Sequence, residues 1–402
     1  MIKRINEKAI ILWIIGIYIT PYFIREQIFY GGIYPINILS WLGIVVFLIN
    51  NYINNGKIYF RTKKFNVFLW IMLFNLLMIS FFYANVDIFD MKNNFKIVIA
   101  IFLPILLINL EFKNIYEIKI IYNRVLKIVN ISTYFILFCG IWDYCFNFKM
   151  STFFVNLYNI PSLYEMLNMG RLVSYFGHSL LTTEMVLIYY ILNYIDQYYI
   201  SKTQKIYMQF IISLIILTFT GSKTGIVLII IMYTVQNFNI KKFKYIPIVF
   251  ITCFGIYKLG FFDTIINRFL MGINTGDLTT GRHTSLIELY NSNLLEFNLL
   301  KGHSSLSMQS DAFIAALEYP VLRWAYRYGI VFSIIMSILL FIIPIIKIYK
   351  HKDIKFLFLT IIFMIDINSY SSITTTMDGM MIYCTVLFII FNVLRYIKEE
   401  ES

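Results

Sequence analysis

The amino-acid sequence predicts an all-α fold class, a polytopic membrane helical bundle of about twelve transmembrane helices with one large, partly helical outer loop. Of the 402 residues, 59% are hydrophobic and only 14% are charged, whereas soluble domains carry about 25% charged residues. The apolar residues fall into runs close to the roughly 20 residues that a helix needs to cross a bilayer. These runs follow one another without a separate polar domain, so residues 1–402 are interpreted as a single integral membrane domain.

The predicted transmembrane helices alternate between connections rich and poor in basic residues. In chain order they cover residues 9–24, 36–53, 65–84, 95–110, 125–146, 179–195, 206–221, 225–240, 245–260, 323–346, 356–371 and 380–396. No small-residue cleavage site follows the first apolar run, so this run is predicted to remain as an uncleaved helix. Lys and Arg cluster in the connections after the second, eighth and tenth helices, and such clusters favour the cytoplasmic side. Both termini are therefore expected in the cytoplasm.

The outer side has two long connections, over about 147–178 and 261–322. The second is the large extracytoplasmic loop, and it contains an amphipathic pattern. Ser285 and Glu288 have the spacing of a capping box, and apolar residues then recur at helical spacing. Lys301 and Gly302 resemble the end of a helix. An amphipathic helix is therefore expected between Ser285 and Lys301.

The net charge of +12 is explained by basic residues that bracket apolar runs, so no nucleic-acid partner is expected. The four cysteines lie inside apolar runs and lack the spacing of metal ligands. No metal or other cofactor is expected. Asp366 and Asp378, near the eleventh predicted helix, receive no role from their pattern.

Two motifs near the middle of the chain place charged residues at the outer ends of helices. The turn Thr220–Gly225 carries Lys223, and it is interpreted either as a tight helix–helix turn or as the site of a cation that binds a lipid-linked phosphate. The run Gly170–His178 contains Arg171 and leads into the helix that holds Glu184. An acid inside a span usually faces a cavity, so Glu184 is a candidate base or a partner of Arg171. Alternatively, it reaches water from the helix end.

The large loop supplies a second group of candidates. Arg282, in the run Thr280–Arg282, stands where a helix amino terminus would help to bind an anion. His303, Asp311 and Arg327 follow. The alternative interpretation is a solvated loop with ordinary charges. Asp87 and Asp90, in a short outer connection, resemble paired acids that hold metal in some membrane glycosyltransferases.

In their order, these motifs resemble the landmarks of the polysaccharide polymerase and O-antigen ligase superfamily, and Wzy-like repeat-unit polymerases in particular. The matching stretches are Gly170–His178, Thr220–Gly225, Thr280–Arg282, Asn298–His303 and Ser310–Asp311, followed by Tyr328-Gly329. Lys223 stands where Arg is commoner, and His303 replaces the second glycine of its motif. Ligases carry a histidine near the position of Asp311, so the resemblance favours a polymerase.

The resemblance implies polymerisation of undecaprenyl-diphosphate-linked oligosaccharide repeat units into surface polysaccharide, at the outer face of the bacterial cytoplasmic (inner) membrane. This makes the chain a metal-independent glycosyltransferase, acting beside a flippase and a chain-length regulator. Arg171, His178, Lys223, Arg282 and Arg327 are then expected to bind the diphosphate or sugar. The expected base is Asp311, followed by His303 and Glu184. A flippase, an O-antigen ligase and an acid-dependent glycosyltransferase using Asp87 and Asp90 are the alternatives.

Overall fold

The computed structural model describes most of the chain. The described residues are 2–21, 38–62, 65–74, 101–112, 115–203, 206–237, 254, 258, 263–274, 276, 282–303, 313, 316–350, 353–370, 372–375 and 377–401. Within these ranges the chain is helical and contains no strand, apart from one isolated antiparallel bridge between Phe60 and Leu110. The all-α class is confirmed.

The helices are numbered here in chain order. They are α1 (Ile2–Tyr18), α2 (Ile38–Asn55), α3 (Phe65–Phe74), α4 (Leu103–Ile108), α5 (Ile115–Cys145), α6 (Lys149–Tyr158), α7 (Pro161–Asn168), α8 (Ser179–Ile195), α9 (Tyr207–Thr220), α10 (Lys223–Asn237), α11 (Asp263–Asn274), α12 (Arg282–Asn291), α13 (Pro320–Tyr328), α14 (Ile330–Tyr349), α15 (Ile354–Asn368), α16 (Ser372–Thr375) and α17 (Met377–Glu401). A π-helical turn extends α8 over Asp196–Ile200, and another lies within α14 at Ile338–Ile342.

By length and composition, four of the described helical segments are able to cross a membrane: Ile38–Asn55, Glu117–Cys145, Ile330–Tyr349 and Gly379–Glu399. The last is 89% buried inside the protein, whereas the first and third are only 33% buried. Helices at the periphery of the bundle, such as α2 and α14, expose large apolar side chains, for example Ile53 and Ile334. Wide exposed apolar surface of this kind is typical of contact with a membrane.

The centre of the bundle is formed by α8 and α17. Every residue of α8 from Thr182 to Ile195 is buried, because this helix packs against α5, α9, α10 and α15. A helix that is apolar on nearly all sides belongs in a protein core or across a membrane, and α8 is in the core of the bundle. Acidic or basic groups on α8 are therefore held in a protein interior.

Gly329 divides the tenth predicted helix, 323–346, into α13 and α14. Its φ of 93° and ψ of 158° lie outside the helical region and suit glycine. A Cβ atom there would lie 2.9 Å from the carbonyl carbon of Leu300, so the large loop packs directly against this break. The prediction of one continuous helix was wrong because the break is imposed by this contact.

The amphipathic helix of the large loop is also displaced from its prediction. It begins at Arg282 and ends at Asn291, so Ser285 and Glu288 lie inside it and do not cap it. Asn293 adopts a left-handed conformation, with φ 53°, just after the last turn, as is common for Asn after a helix. Gly302 does not end a helix but packs on the Arg327–Tyr328 peptide, where a Cβ atom would lie 1.8 Å from the Arg327 carbonyl oxygen.

Other helix bounds differ by smaller amounts. Helix α5 begins at Ile115, well before the predicted start at 125, and has 31 residues. Nearly all of the predicted helix 245–260 lies outside the described residues, as do Asp87, Asp90 and Asp311.

Candidate functional site

The Gly170–His178 run packs against the turn between α9 and α10. The backbone N–H of Leu172 donates to the Phe219 carbonyl at 2.8 Å. Arg171 Nε donates to the Thr220 carbonyl, also at 2.8 Å, and Arg171 is only 6% exposed. Gly221 ends α9 in a left-handed conformation, with φ 64°. The turn is therefore a tight helix–helix connection, and one of its carbonyls holds the Arg171 side chain.

Glu184 lies near the start of α8 and is fully buried, with 0% of its surface exposed. Its Oε2 accepts hydrogen bonds from Tyr370 Oη at 2.6 Å and from Ser372 Oγ at 2.8 Å. Tyr370 lies in the connection after α15, and Ser372 is the first residue of α16. The alternative that Glu184 reaches water from the helix end is excluded. Buried carboxylates are stable only when hydrogen bonds or opposite charges compensate them, and the two hydroxyls supply part of this compensation.

Asp366 is the second buried acid of this region, and its pattern in the sequence had suggested no role. It lies near the end of α15, is 2% exposed, and is close enough to Glu184 for the two carboxyl groups to interact electrostatically. The buried side chain of Tyr18 is also within electrostatic range of Glu184. The sequence carries no signal for this pair, because only tertiary packing brings α8 and α15 together.

Arg282, the first residue of α12, contacts the same connection that supplies Tyr370. Its Nη1 donates to the Ser369 carbonyl at 3.0 Å. Its Nε forms an ion pair with Glu318, and the two side chains are 20% and 30% exposed. Because Ser369 directly precedes Tyr370, Arg282 and Glu184 are connected through one short backbone segment.

His178 lies within electrostatic range of both Arg171 and Arg282. It caps α8, and its Nδ1 accepts from the Leu180 backbone N–H at 3.2 Å. Burial and the positive charges of Arg171 and Arg282 lower the pKa of His178 from 6.5 to about 3. The imidazole is therefore neutral at pH 7, and with Nδ1 accepting, its proton is carried on Nε2. His178 is thus available as an uncharged donor within electrostatic range of two cations.

His303 has a structural environment. Its ring stacks on Tyr326 with a centroid distance of 4.4 Å, and its Nε2 is 2.7 Å from the Glu296 carbonyl oxygen. Its backbone N–H donates to the Tyr326 carbonyl at 3.0 Å. These contacts hold the large loop against α13. The ring is therefore engaged in positioning the loop.

Lys223 and Arg327 have aromatic neighbours. Lys223 Nζ lies 5.7 Å from the ring centroid of Phe269, on α11. Arg327 Cζ lies 5.7 Å from the ring centroid of Tyr328. Each of these two predicted ligands therefore lies beside an aromatic ring.

Four of the residues singled out in the sequence thus come together: Arg171, His178, Glu184 and Arg282. We call them, with Asp366, Tyr370 and Ser372, the Glu184 site. Cations of this kind bind phosphate groups through charge-assisted hydrogen bonds, and a buried carboxylate is able to accept a proton. No family model, curated protein or solved structure matches the chain, so the Glu184 site is defined by its own geometry.

Proposed function

We propose that the protein is a membrane glycosyltransferase that polymerises undecaprenyl-diphosphate-linked repeat units into surface polysaccharide. The observation that carries the proposal is the Glu184 site, in which Arg171, His178 and Arg282 surround the start of a buried helix that holds a carboxylate. The resemblance of the motifs to Wzy-like polymerases supports the same assignment. The reaction requires cations for the leaving diphosphate and a base for the acceptor, and the Glu184 site supports the proposal because it holds cations and a carboxylate close together.

The proposal includes twelve transmembrane helices with both termini in the cytoplasm. The four long apolar helices and the shorter apolar helices Phe65–Phe74, Tyr207–Thr220 and Lys223–Gln236 support a membrane-embedded bundle. The basic clusters of the connections support the orientation. In this orientation the Glu184 site is at the outer face of the cytoplasmic membrane, where lipid-linked repeat units are joined.

The cations stabilise the leaving diphosphate. When the bond between the anomeric carbon and the diphosphate oxygen breaks, its electron pair and a negative charge move onto that oxygen. Positive groups that are already in place lower the barrier to this step. Arg171 and Arg282 are held through carbonyl hydrogen bonds and, for Arg282, an ion pair, so little reorganisation is required. His178 donates an uncharged hydrogen bond between them.

A carboxylate accepts the proton of the acceptor sugar. The acceptor hydroxyl oxygen forms a bond to the anomeric carbon while its proton passes to the base. Glu184 is the candidate base among the described residues, and Asp366 beside it provides a second carboxyl for the transferred proton. Asp311 remains the alternative base from the sequence. In this scheme His303 positions the loop and does not take the proton.

The experiment compares Arg282→Met and Arg282→Lys in cells that depend on this protein for polymer. Arg282→Met removes the charge and the bonds to Ser369 and Glu318. Loss of one preorganised donor typically costs about 10²–10³ in rate, so single lipid-linked units should accumulate at the outer leaflet. Arg282→Lys keeps the positive charge but loses the planar guanidinium group with its paired N–H donors, so it should retain part of the activity.

Arg124→Met is the matched control, because Arg124 forms a surface ion pair with Glu7 and is 56% exposed. It should leave polymer length unchanged. Wild-type polymer from Arg282→Met at normal protein level contradicts a catalytic role for Arg282. Units trapped at the inner leaflet indicate a flippase and contradict the proposed polymerase.

A further inference from the structure

The connection after α2 and the connection between α4 and α5 are joined by a short antiparallel contact. This contact is distant in sequence from the Glu184 site. Arg61 N–H donates to the Asn109 carbonyl at 2.9 Å, and Glu111 N–H donates to the Tyr59 carbonyl at 3.1 Å. Asn109 is fully buried, and its side chain donates to the Thr62 carbonyl at 2.8 Å. These bonds fix the backbone of Arg61 beside that of Glu111.

Three cations gather around this contact and the ring of Phe391, on α17. Lys347 Nζ lies 5.0 Å and Arg61 Cζ lies 5.4 Å from the Phe391 ring centroid. Arg395 Nη1 donates to the Phe112 carbonyl at 2.7 Å. Burial and the charge of Arg395 lower the pKa of Arg61 to about 10, although Glu111 opposes this shift. We call these cations, with Glu111 and Phe391, the Phe391 cluster.

The carboxylates near this cluster are engaged mainly by Arg395. Its Nη1 lies 3.5 Å from Glu111, and its Nε lies 3.1 Å from Glu399. Arg61 directs both Nε and Nη2 at the Leu110 carbonyl, at 3.2 and 3.1 Å. Glu111 is therefore the carboxylate that Arg61, Lys347 and Arg395 have in common. Three cations and one carboxylate leave the cluster with an excess of positive charge.

Among the three cations of the Phe391 cluster, Lys347 has the poorest hydrogen bonding. Its Nζ is buried, and among the residues that the structure describes none accepts a hydrogen bond from it. Its neighbours there are the rings of Phe391 and Phe65 and the charge of Arg61. Glu111 is also within electrostatic range of Lys347, but this carboxylate is paired with Arg395. A buried ammonium beside a second cation is costly unless an anion compensates it. The arrangement is therefore complete only with an additional negative group.

We infer that the Phe391 cluster binds a phosphate group through Lys347 and Arg61. Phosphate offers several acceptor oxygens and matches both a point cation and a guanidinium. The cluster lies at the carboxyl-terminal end of α14 and in the connection that follows α2, where a lipid headgroup would be located if these helices span a membrane. Next to Lys347, Ile346 and Tyr349 are 48% and 65% exposed, so this end of α14 is accessible to lipid.

The test titrates the purified full-length protein in detergent and follows its thermal midpoint. The probes are short-chain phosphatidylglycerol, phosphatidylcholine of equal chain length, and inorganic phosphate. Phosphatidylglycerol should raise the midpoint in a saturable manner. Phosphatidylcholine should not, because its choline cation is repelled by the positive cluster and leaves the headgroup with no net charge. In Lys347→Met the half-saturating concentration should rise roughly 10- to 100-fold, because a hydrogen bond to a charged group is lost. Lys347→Arg should retain binding.

Lys350→Met is the matched control. Lys350 is exposed and lies three residues after Lys347, just beyond the carboxyl-terminal end of α14. It removes the same charge and should leave half-saturation unchanged. An equal response to both lipids, or an equal loss in Lys350→Met, overturns the inference. Saturation by inorganic phosphate supports the anion site with a soluble ligand, whereas a response to phosphatidylglycerol alone supports a lipid headgroup.

If Lys347→Met cannot be purified, native mass spectrometry of the wild type decides the question. Selective retention of phosphatidylglycerol over phosphatidylcholine by wild type and Lys350→Met supports the site, and equal retention of the two lipids rejects it. All these readouts are independent of polysaccharide synthesis, so they test the Phe391 cluster separately from the proposed function.

Discussion

Glu184→Gln should produce a stable protein that no longer forms polymer. The substitution keeps the size of the side chain and one acceptor oxygen for Tyr370 and Ser372. Each of these bonds then changes from charge-assisted to neutral, which costs about 1 kcal/mol, so the two together cost about 2 kcal/mol. Removal of a fully buried charge beside Asp366 recovers several kcal/mol by typical values. The free energy of unfolding should therefore be unchanged or increased.

The rate should respond very differently from the stability. Loss of a general base typically lowers the rate about 10²–10⁴-fold. The assay replaces the wild type in cells and measures protein level, polymer length and lipid-linked units at the outer leaflet. Asp311→Asn, assayed in parallel, assigns the base to the residue whose amide variant is stable but inactive.

Asp196→Asn is the matched control for Glu184→Gln. Asp196 begins the π-helical turn that extends the opposite end of α8, so it tests the effect of removing an acid from the same element. Polymer length should be normal in this control. Full-length polymer from stably expressed Glu184→Gln would falsify the assignment of Glu184 as the base. Poor accumulation of the variant would show that the carboxylate has a structural role instead.

Two further predictions concern protonation and topology. As pH falls below 6.5, only the unfolded chain protonates His178, whose folded pKa is about 3, so stability should decrease by at most about 2 kcal/mol at pH 5. His178→Gln should reduce this loss in thermal unfolding measured at pH 7 and pH 5, and an unchanged difference would reject the buried neutral histidine. Cysteines at Asn274 and Asn298 should react with impermeant reagents from outside the cell, whereas one at Lys352 should not. The reverse labelling pattern would overturn the proposed orientation.

The helices that agree best with the sequence are those defined by a local apolar run. Helices α2, α8 and α9 begin and end within about two residues of their predictions, the usual uncertainty of such bounds. The turn at Thr220–Gly225 was also recognisable, because its glycines punctuate two apolar runs. Hydrophobicity is a property of each segment, and therefore it is visible without knowledge of the neighbours.

Helix boundaries that are set by contacts between segments distant in sequence were not predictable from the sequence. Gly329 interrupts α13 and α14 because Leu300 packs against it, and no feature of the run 323–346 shows this neighbour. Ser285 and Glu288 have capping-box spacing, but α12 begins at Arg282. There, Arg282 is bonded to Ser369 and Glu318. At the start of α12, tertiary contacts outweighed a capping signal of about 1 kcal/mol.

By itself, the sequence determined that this protein is an all-helical chain with long apolar segments and that Arg171, His178, Glu184 and Arg282 are chemically unusual in it. Composition and spacing are sufficient for that, because the cost of placing charged groups among apolar residues depends on residue type. Only the tertiary structure decided which of these groups meet, that Asp366 joins Glu184, and that His303 is engaged by Tyr326. Such pairings depend on how helices distant in sequence pack, and packing is decided by the shape of the whole core.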